Sequence, residues 1–256
     1  MTAGEVPLWN SAPRRSGRPK RWWTALFALA LAVSGLVWLA MAFAGDGTYE
    51  AIARDGGFDR TALLGPAGSP QAAARPVTVD ALVDLHRSWS AYVLGRTSEP
   101  PSRASELFTA DEYRHMADVR GVFAAARAAM MAGLVALAFV VGLALRRGVP
   151  ATGPLVRDGA IAAGALVLAI ALGAAVAFEP LFLLFHYVFF PQGNFLFDPA
   201  TSNLVRLYPE PYWYGVTLRV GGSFIVLAVG VAIAGALLVR AGNAGGRGGS
   251  AMVTRR

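Results

Sequence analysis

Four long apolar stretches dominate the pattern of hydrophobic and polar positions along the chain. Each approaches the roughly 20 apolar residues that an α-helix needs to cross the hydrocarbon core of a bilayer. A helix of a soluble protein rarely stays apolar on all of its faces over this distance. The pattern therefore predicts four transmembrane helices, at residues 22–44, 124–145, 159–178 and 216–239.

The long polar region between the first two spans contains helix signals of its own. Thr78 precedes an amphipathic pattern, and its apolar stripe includes His86. Such a helix lies at the membrane interface or against the bundle, and we interpret His86 as a packed histidine rather than a metal or substrate ligand. Thr109 and Glu112 have the spacing of a capping box. From Thr109 the helical pattern continues without a break through His115 into the second span.

The region between the third and fourth spans contains a short, strongly aromatic segment. The ten residues between Pro180 and Pro191 are apolar or aromatic except His186. Proline lacks the amide donor of a helix, so both prolines are expected to interrupt helical structure. The segment is too short to span a bilayer and is predicted to lie at the interface. An imidazole there is costly unless it is hydrogen-bonded, which makes His186 a functional candidate, the alternative being an aromatic-belt residue with its polar tip in the headgroups.

Composition narrows the chemistry that the chain can perform. Of its 256 residues, 55% are hydrophobic and only 15% are charged, compared with about 25% charged residues in average soluble proteins. The absence of cysteine excludes a disulfide scaffold, thiolate metal sites and a cysteine nucleophile. Only three histidines, His86, His115 and His186, remain for imidazole chemistry.

The net charge of +7 is distributed unevenly between the polar segments. Residues 1–21, 146–158 and 240–256 carry twelve lysines and arginines against two acids, whereas residues 45–121 and 179–215 carry nine arginines against fourteen acids. Positive charge concentrates on the cytoplasmic side of membrane proteins. The charge therefore predicts an orientation rather than a nucleic-acid partner, with both termini in the cytoplasm.

These patterns predict an all-α polytopic membrane protein with four transmembrane helices and a long structured outer loop that contains amphipathic helices. The expected divisions are a basic cytoplasmic tail at 1–21, a transmembrane domain at 22–240 and a flexible cytoplasmic tail at 241–256. An alternative is that the first span is a cleaved signal peptide. Its apolar core is longer than the usual 7–15 residues of such a signal.

All three histidines are predicted to lie on the outer side of the membrane, and His115 and His186 are the two candidates for catalysis. One imidazole acting as a base and the second as an acid or oxyanion donor are sufficient for acyl transfer. Asp118 lies three residues after His115 on the same helical face and can orient its ring, although the same spacing also occurs on ordinary surface helices. These histidines with Asp118 or Asp198 lack a recognisable metal-site spacing, so we predict neither a metal nor a cofactor.

Two motifs resemble the signatures of a bacterial family of four-span membrane proteins, the lipoprotein intramolecular transacylase (Lit) family. The first is His115-Met116-Ala117-Asp118-Val119-Arg120. The second is Phe185-His186-Tyr187-Val188-Phe189-Phe190-Pro191-Gln192-Gly193-Asn194-Phe195-Leu196-Phe197-Asp198-Pro199, followed by Leu207-Tyr208-Pro209-Glu210. The order of the spans and the long first outer loop are also similar. The chain departs from the family pattern at Arg120, where lysine is expected, and at Phe195, where tryptophan is common.

The resemblance implies an activity, a substrate and a location. Family members move the sn-2 acyl chain of a diacylglyceryl-modified lipoprotein to the α-amine of its N-terminal cysteine, which gives a lyso-form lipoprotein. The reaction takes place in the bacterial cell membrane on its outer face, with membrane lipid as the surroundings and without a cofactor. By motif position, His186 is the main catalytic base and His115 its partner. The supporting residues in the motifs are Asp118, Arg120, Asn194, Asp198, Tyr208 and Glu210, of which Asp118, Asn194 and Asp198 are assigned orienting or oxyanion roles by their placement.

Other functions are open at the level of the sequence. The chain is alternatively a non-catalytic envelope scaffold that uses the long outer loop, or a divergent family member that acts on another lipid. A transporter is disfavoured, because the spans lack the buried ionisable residues that mark a transport pathway. The sequence does not indicate an oligomeric state.

Overall fold

The computed structural model of the chain describes residues 20–65, 74–101 and 107–253. Most of the predicted basic tail at 1–21 lies outside these residues. Within the described residues, four helices are long and apolar enough to cross a membrane, in agreement with the predicted number of spans. In chain order the elements are α1 (Arg21–Ala42), α2 (Asp46–Asp55), β1 (Ala62–Leu63), β2 (Arg75–Pro76), α3 (Val79–Val93), α4 (Ala110–Arg146), α5 (Val149–Val176), α6 (Phe178–Phe189), α7 (Asn203–Leu207) and α8 (Glu210–Val253).

Between the first two spans, the two helices predicted at Thr78 and Thr109 begin where the sequence predicts, whereas α2 (Asp46–Asp55) was not predicted. The Thr78 hydroxyl accepts a hydrogen bond from the Ala81 amide at the start of α3. Gly95, with φ of +69°, follows the end of α3 in a left-handed conformation that favours glycine. Thr109 and Glu112 form the complete capping box at the start of α4.

Helix α4 is continuous over 37 residues, a length of about 55 Å at 1.5 Å per residue. This length exceeds the roughly 30 Å of hydrocarbon in a bilayer. The first turns of α4 therefore lie beyond the apolar part of the span, and they carry His115 and Asp118 at fixed positions above it.

The helices that contain the predicted spans 159–178 and 216–239 begin before the predicted starts of those spans. Helix α5 begins at Val149, directly after a turn at Gly148 with φ of +91°, so that most of the predicted cytoplasmic loop 146–158 is helical. Helix α8 begins at Glu210 and continues to Val253, across the start of the tail that was predicted to be flexible from residue 241. The reason is physical, since hydropathy detects the part of a helix suited to lipid, whereas hydrogen bonding continues the helix past it.

The break before α6 lies at Ala177 and not at Pro180 as the sequence predicted. Pro180 is the third residue of α6, where the amide that proline lacks would have no partner within the helix. Pro191 follows the end of α6, as expected. With 12 residues, α6 is about 18 Å long, too short to cross the hydrocarbon.

The buried apolar side chains of the described residues form two cores. One lies within the spans and includes Phe27, Leu155 and Phe224. The other, which we name the outer core after the predicted orientation, is built around Tyr49, Trp89 and other side chains of α2, α3 and α7. A two-stranded antiparallel ladder of β1 and β2 is attached to this outer core and is the exception to the predicted all-α class.

Glu112 anchors the segment after α6 to the outer core. Its carboxylate is only 1% exposed. It accepts hydrogen bonds from the Thr109 amide at 2.6 Å, from the Ser202 hydroxyl at 2.5 Å and from the Leu204 amide at 2.8 Å. The sequence identified Glu112 only as part of a helix cap, and the structure shows that it also joins two regions 90 residues apart.

Candidate active site

A cavity of about 710 Å³ lies where the outer core meets the ends of the spans. This volume is in the range of pockets that hold organic ligands. All three histidines of the chain line the cavity, together with mostly apolar and aromatic side chains, among them Phe123, Phe182, Phe195, Trp213 and Val216.

His186 lies on the cavity side of α6 and is 9% exposed. Its Nδ1 is 2.8 Å from the carbonyl oxygen of Phe182, one helical turn earlier. A carbonyl oxygen only accepts hydrogen bonds, so Nδ1 must carry the proton. The Nε2 atom of the neutral ring is therefore left with its lone pair, as a general base requires.

His115 reaches the same place from the first turns of α4. It is 7% exposed, and its ring centroid lies 6.2 Å from that of His186, with the two planes inclined by 20°. Phe190 and Phe197 pack against it at centroid distances of 4.8 and 5.6 Å. The sequence predicted the same side of the membrane for both histidines. The structure places their imidazoles within reach of one intervening water or substrate group.

Asp118 does not bond to His115, contrary to the role suggested by the spacing. Its Oδ2 accepts hydrogen bonds from Gln192 at 2.8 Å and from Asn194 at 2.6 Å. The Asn194 side chain in turn lies next to His115. Asn194 Oδ1 and His115 Nδ1 are both buried, and neither has a partner within hydrogen-bond geometry among the described residues. Asp118 therefore fixes the amide that faces the imidazole.

Three further predicted site residues have other roles or positions. Arg120 donates to the carbonyls of Tyr92, Thr97 and Ser98, so it binds the C-terminal end of α3, where cations are favourable. Asp198 is exposed and accepts a hydrogen bond from the Ala200 amide in a turn, an arrangement that does not support an oxyanion role. Glu210 is exposed at the cavity wall.

Tyr208, also a predicted supporting residue, lies in a buried aromatic cluster with His86. Its hydroxyl is 3.3 Å from Nδ1 of His86. Tyr49 stacks on the His86 ring at a centroid distance of 4.4 Å, and its own hydroxyl donates to the Leu207 carbonyl. His86 is packed, as predicted, at 2% exposure, and it also lines the cavity. No sequence signal indicated Tyr49, which comes from α2, far from every motif.

Burial controls the protonation of His186 and His86. Desolvation lowers the pKa of His186 below its usual 6.5, against a smaller opposing effect of the hydrogen bond to the Phe182 carbonyl. Desolvation likewise lowers the pKa of His86 to about 4. Both imidazoles are therefore neutral at pH 7, the state in which a histidine can accept a proton or share a neutral hydrogen bond.

Among the described residues, no group of three or more histidine, aspartate or glutamate side chains is placed to hold a metal ion. The polar groups of the cavity are instead suited to proton transfer and to hydrogen bonds with a largely apolar ligand.

Comparison of the sequence with known families decides which acyl-transfer chemistry is relevant. Residues 79–213, more than half of the chain, match the family described as "Lipoprotein intramolecular transacylase Lit". The chain belongs to the Lit family. The matched range contains both histidine motifs and part of the outer core, and membership makes the chain an integral membrane acyltransferase.

Solved structures show the same fold. The membrane-integral lipoprotein intramolecular transacylase Lit from Bacillus cereus superposes with a TM-score of 0.69 at 17% identity, over 87% of this chain and 97% of that one. Two variants of the Bacillus cereus protein, each with one histidine replaced, superpose with TM-scores of 0.65 and 0.64 at 16% and 17% identity. They cover 88% and 87% of this chain and 94% of their own. No curated protein sequence matches the chain.

Proposed function

We propose that this Lit-family member transfers the sn-2 acyl chain of a diacylglyceryl-modified lipoprotein to the α-amine of the lipoprotein's N-terminal cysteine, with His186 as the base and His115 as its partner. The observation that carries the proposal is the meeting of these two imidazoles in one aromatic-lined cavity. They come from separate motifs, 71 residues apart in the chain.

The chemistry requires one bond to form and one to break. The amine nitrogen attacks the ester carbonyl carbon, and its proton passes to Nε2 of His186, which the Phe182 carbonyl leaves free. The tetrahedral oxyanion then collapses, the carbon–oxygen bond breaks, and His186 returns the proton to the departing glyceryl oxygen. The products are an amide and a glyceryl hydroxyl, so neither water nor an outside donor is consumed.

His115 completes the base site through its position rather than through a second bond-making step. Its ring centroid lies 6.2 Å from that of His186 with the two planes nearly parallel, so an amine bound at the edges of the rings, where their nitrogen atoms lie, can contact both. The hydrogen bond from Asn194 to Asp118 holds the Asn194 amide beside His115. Such fixed positioning, with both reactants tethered on one substrate, removes much of the entropic cost of the reaction.

The location of the cavity supports a reaction at the membrane surface. The cavity extends from apolar side chains at the span ends, such as Phe123 and Val216, to exposed Glu210. The two regions that line the cavity, 45–121 and 179–215, carry more acidic than basic residues, whereas the other polar segments are basic. This distribution favours the outer face of the bacterial cell membrane for the cavity. There an acyl chain can remain in the lipid while its ester enters the cavity.

Mass spectrometry of lipoprotein N-termini tests the proposal in bacteria with and without the chain. We expect lyso-form peptides with an N-acylated cysteine only in cells that express it, and their loss in cells that express His186→Ala at an equal level. Identical N-terminal acylation with and without the chain would overturn the proposal. A non-catalytic scaffold would tolerate the histidine substitution.

The pH dependence of the purified enzyme is a second expected outcome. The substrate must lose a proton from its α-ammonium, whose pKa is about 7.7–8.0, and His186 must be neutral. Since burial keeps the pKa of His186 below 6.5, log(kcat/KM) should fall with unit slope from about pH 7.5 to 6.5 and become steeper only below. A slope of two already reached at pH 7 would contradict a desolvated base.

A further inference from the structure

One side chain of the cavity is not used by the transfer chemistry. His86 is 2% exposed and lines the cavity, yet its Nε2 is buried without a hydrogen-bond partner among the described residues. Buried polar atoms in folded proteins nearly always have a partner, and an unsatisfied one is costly. If the side chain at this position only filled space, an apolar ring would be more stable there than an imidazole.

The surroundings of His86 determine what the free atom can bind. The Tyr208 hydroxyl faces Nδ1 at 3.3 Å and has no other hydrogen-bond acceptor among the described residues, so we assign it as the donor. The Nε2 atom of the neutral ring then carries the proton. Burial lowers the pKa of His86, and the nearby Ala44 carbonyl opposes this effect, although Nε2 has no partner within hydrogen-bond geometry among the described residues. His86 therefore offers one fixed N–H donor.

The chemical class of the bound group follows from charge. Burial lowers the pKa of His86 to about 4 and raises that of Tyr208 well above 10, so both side chains are neutral at pH 7. A neutral N–H group among the aromatic rings of Tyr49 and Tyr212 suits an uncharged acceptor much better than a phosphate or carboxylate, whose desolvation would be costly.

We propose that His86, held by Tyr208 and Tyr49, is a specificity residue that binds the carbonyl of the non-reacting ester of the diacylglyceryl group. This inference rests on the proposed function, because a diacylglyceryl substrate carries two esters and only one of them is transferred. With the second ester on His86, the first is presented to His115 and His186 in the same cavity. His86 and Tyr208 then determine which acyl chain is transferred and favour substrates that carry two acyl esters.

A substrate pair that differs in one carbonyl tests the inference directly. The full-length protein in detergent micelles is given a synthetic lipopeptide with a free N-terminal cysteine amine and either two esters or an sn-1 ether with an sn-2 ester. N-acylation is followed by mass spectrometry. We expect the native protein to prefer the diester by about tenfold in kcat/KM, the effect of one buried hydrogen bond.

Substitutions then connect this preference to His86. The His86→Phe variant should transfer the acyl chain from both substrates without a preference, at the rate that the native protein shows for the ether substrate. His86→Gln, which retains an amide donor near the position of Nε2, should keep part of the preference, and Tyr208→Phe should reduce it. Tyr113→Phe is the matched control, because the Tyr113 hydroxyl donates to the Pro101 carbonyl and does not line the cavity.

The outcomes separate the two proposals. Equal rates of the native protein on both substrates, or a full preference retained by His86→Phe, would overturn the role of His86 while leaving the transacylase intact. Should His86→Phe fail to fold, the native protein and the Gln and Tyr208→Phe variants still decide the question. If the native protein transferred no acyl chain from the diester or from the ether substrate, the proposed function would be overturned, and this inference with it.

Discussion

Replacement of His186 by alanine should lower the rate of acyl transfer by about 10²–10⁴-fold, the usual contribution of a positioned general base. The substitution removes the Nε2 atom that the Phe182 hydrogen bond leaves free. His115→Ala should give a loss of similar size, since it removes the facing ring. Initial rates of lipopeptide N-acylation by purified protein measure both.

The histidine variants need a control for truncation on the same helix. Phe189→Ala serves this purpose, because Phe189 lies on α6 at 48% exposure and outside the cavity lining. We expect it to retain activity within a few-fold. If His186→Ala were as active as Phe189→Ala, the base assignment would be wrong. The double variant should lose little beyond the single ones, since residues that act as a unit are not additive.

Glu112→Ala should have the largest effect on stability, a decrease of about 3–5 kcal/mol in the free energy of unfolding. The substitution leaves the Thr109 amide, the Ser202 hydroxyl and the Leu204 amide without their acceptor, in a region where Glu112 is 1% exposed. Thermal unfolding in detergent measures the loss. Because Ser202 and Leu204 belong to the chain that forms the cavity wall, activity should decrease at temperatures where the protein is still folded.

The neighbouring acid provides a matched comparison. Asp111 is in the same helical turn and forms an exposed ion pair with Arg114. Exposed pairs of this kind contribute about 0–1 kcal/mol, so Asp111→Ala should be nearly neutral. Equal destabilisation by the two substitutions would show that charge near the start of α4 matters and that the buried hydrogen bonds of Glu112 do not.

The local signals in the sequence were sufficient to predict the starts of α3 and α4, but not α2 or α7. The caps at Thr78 and Thr109 lie where the pattern predicted, because capping depends on residues three positions apart. Span boundaries were less accurate, as the starts of α5 and α8 show. Hydropathy measures compatibility with lipid, whereas a helix ends only where its backbone hydrogen bonds end.

Long-range partners were beyond the reach of sequence spacing. Asp118 was expected to orient His115 because the two residues share a helical face. In the structure a loop 74 to 76 residues away supplies Gln192 and Asn194 as donors to that carboxylate. Asp198, in the same motif, belongs to a turn instead. Motif membership indicated the neighbourhood of these side chains but not their hydrogen bonds.

By itself, the sequence determined the four spans, the polarity of the regions between them and the two histidine motifs, since each depends on composition or spacing within one segment. Only the tertiary structure decided that His115 and His186 face each other, that Phe182 fixes the proton on Nδ1 of His186, and that His86 lines the same cavity. These contacts join α3, α4 and α6, and they exist because packing of the outer core on the span ends buries all three rings together.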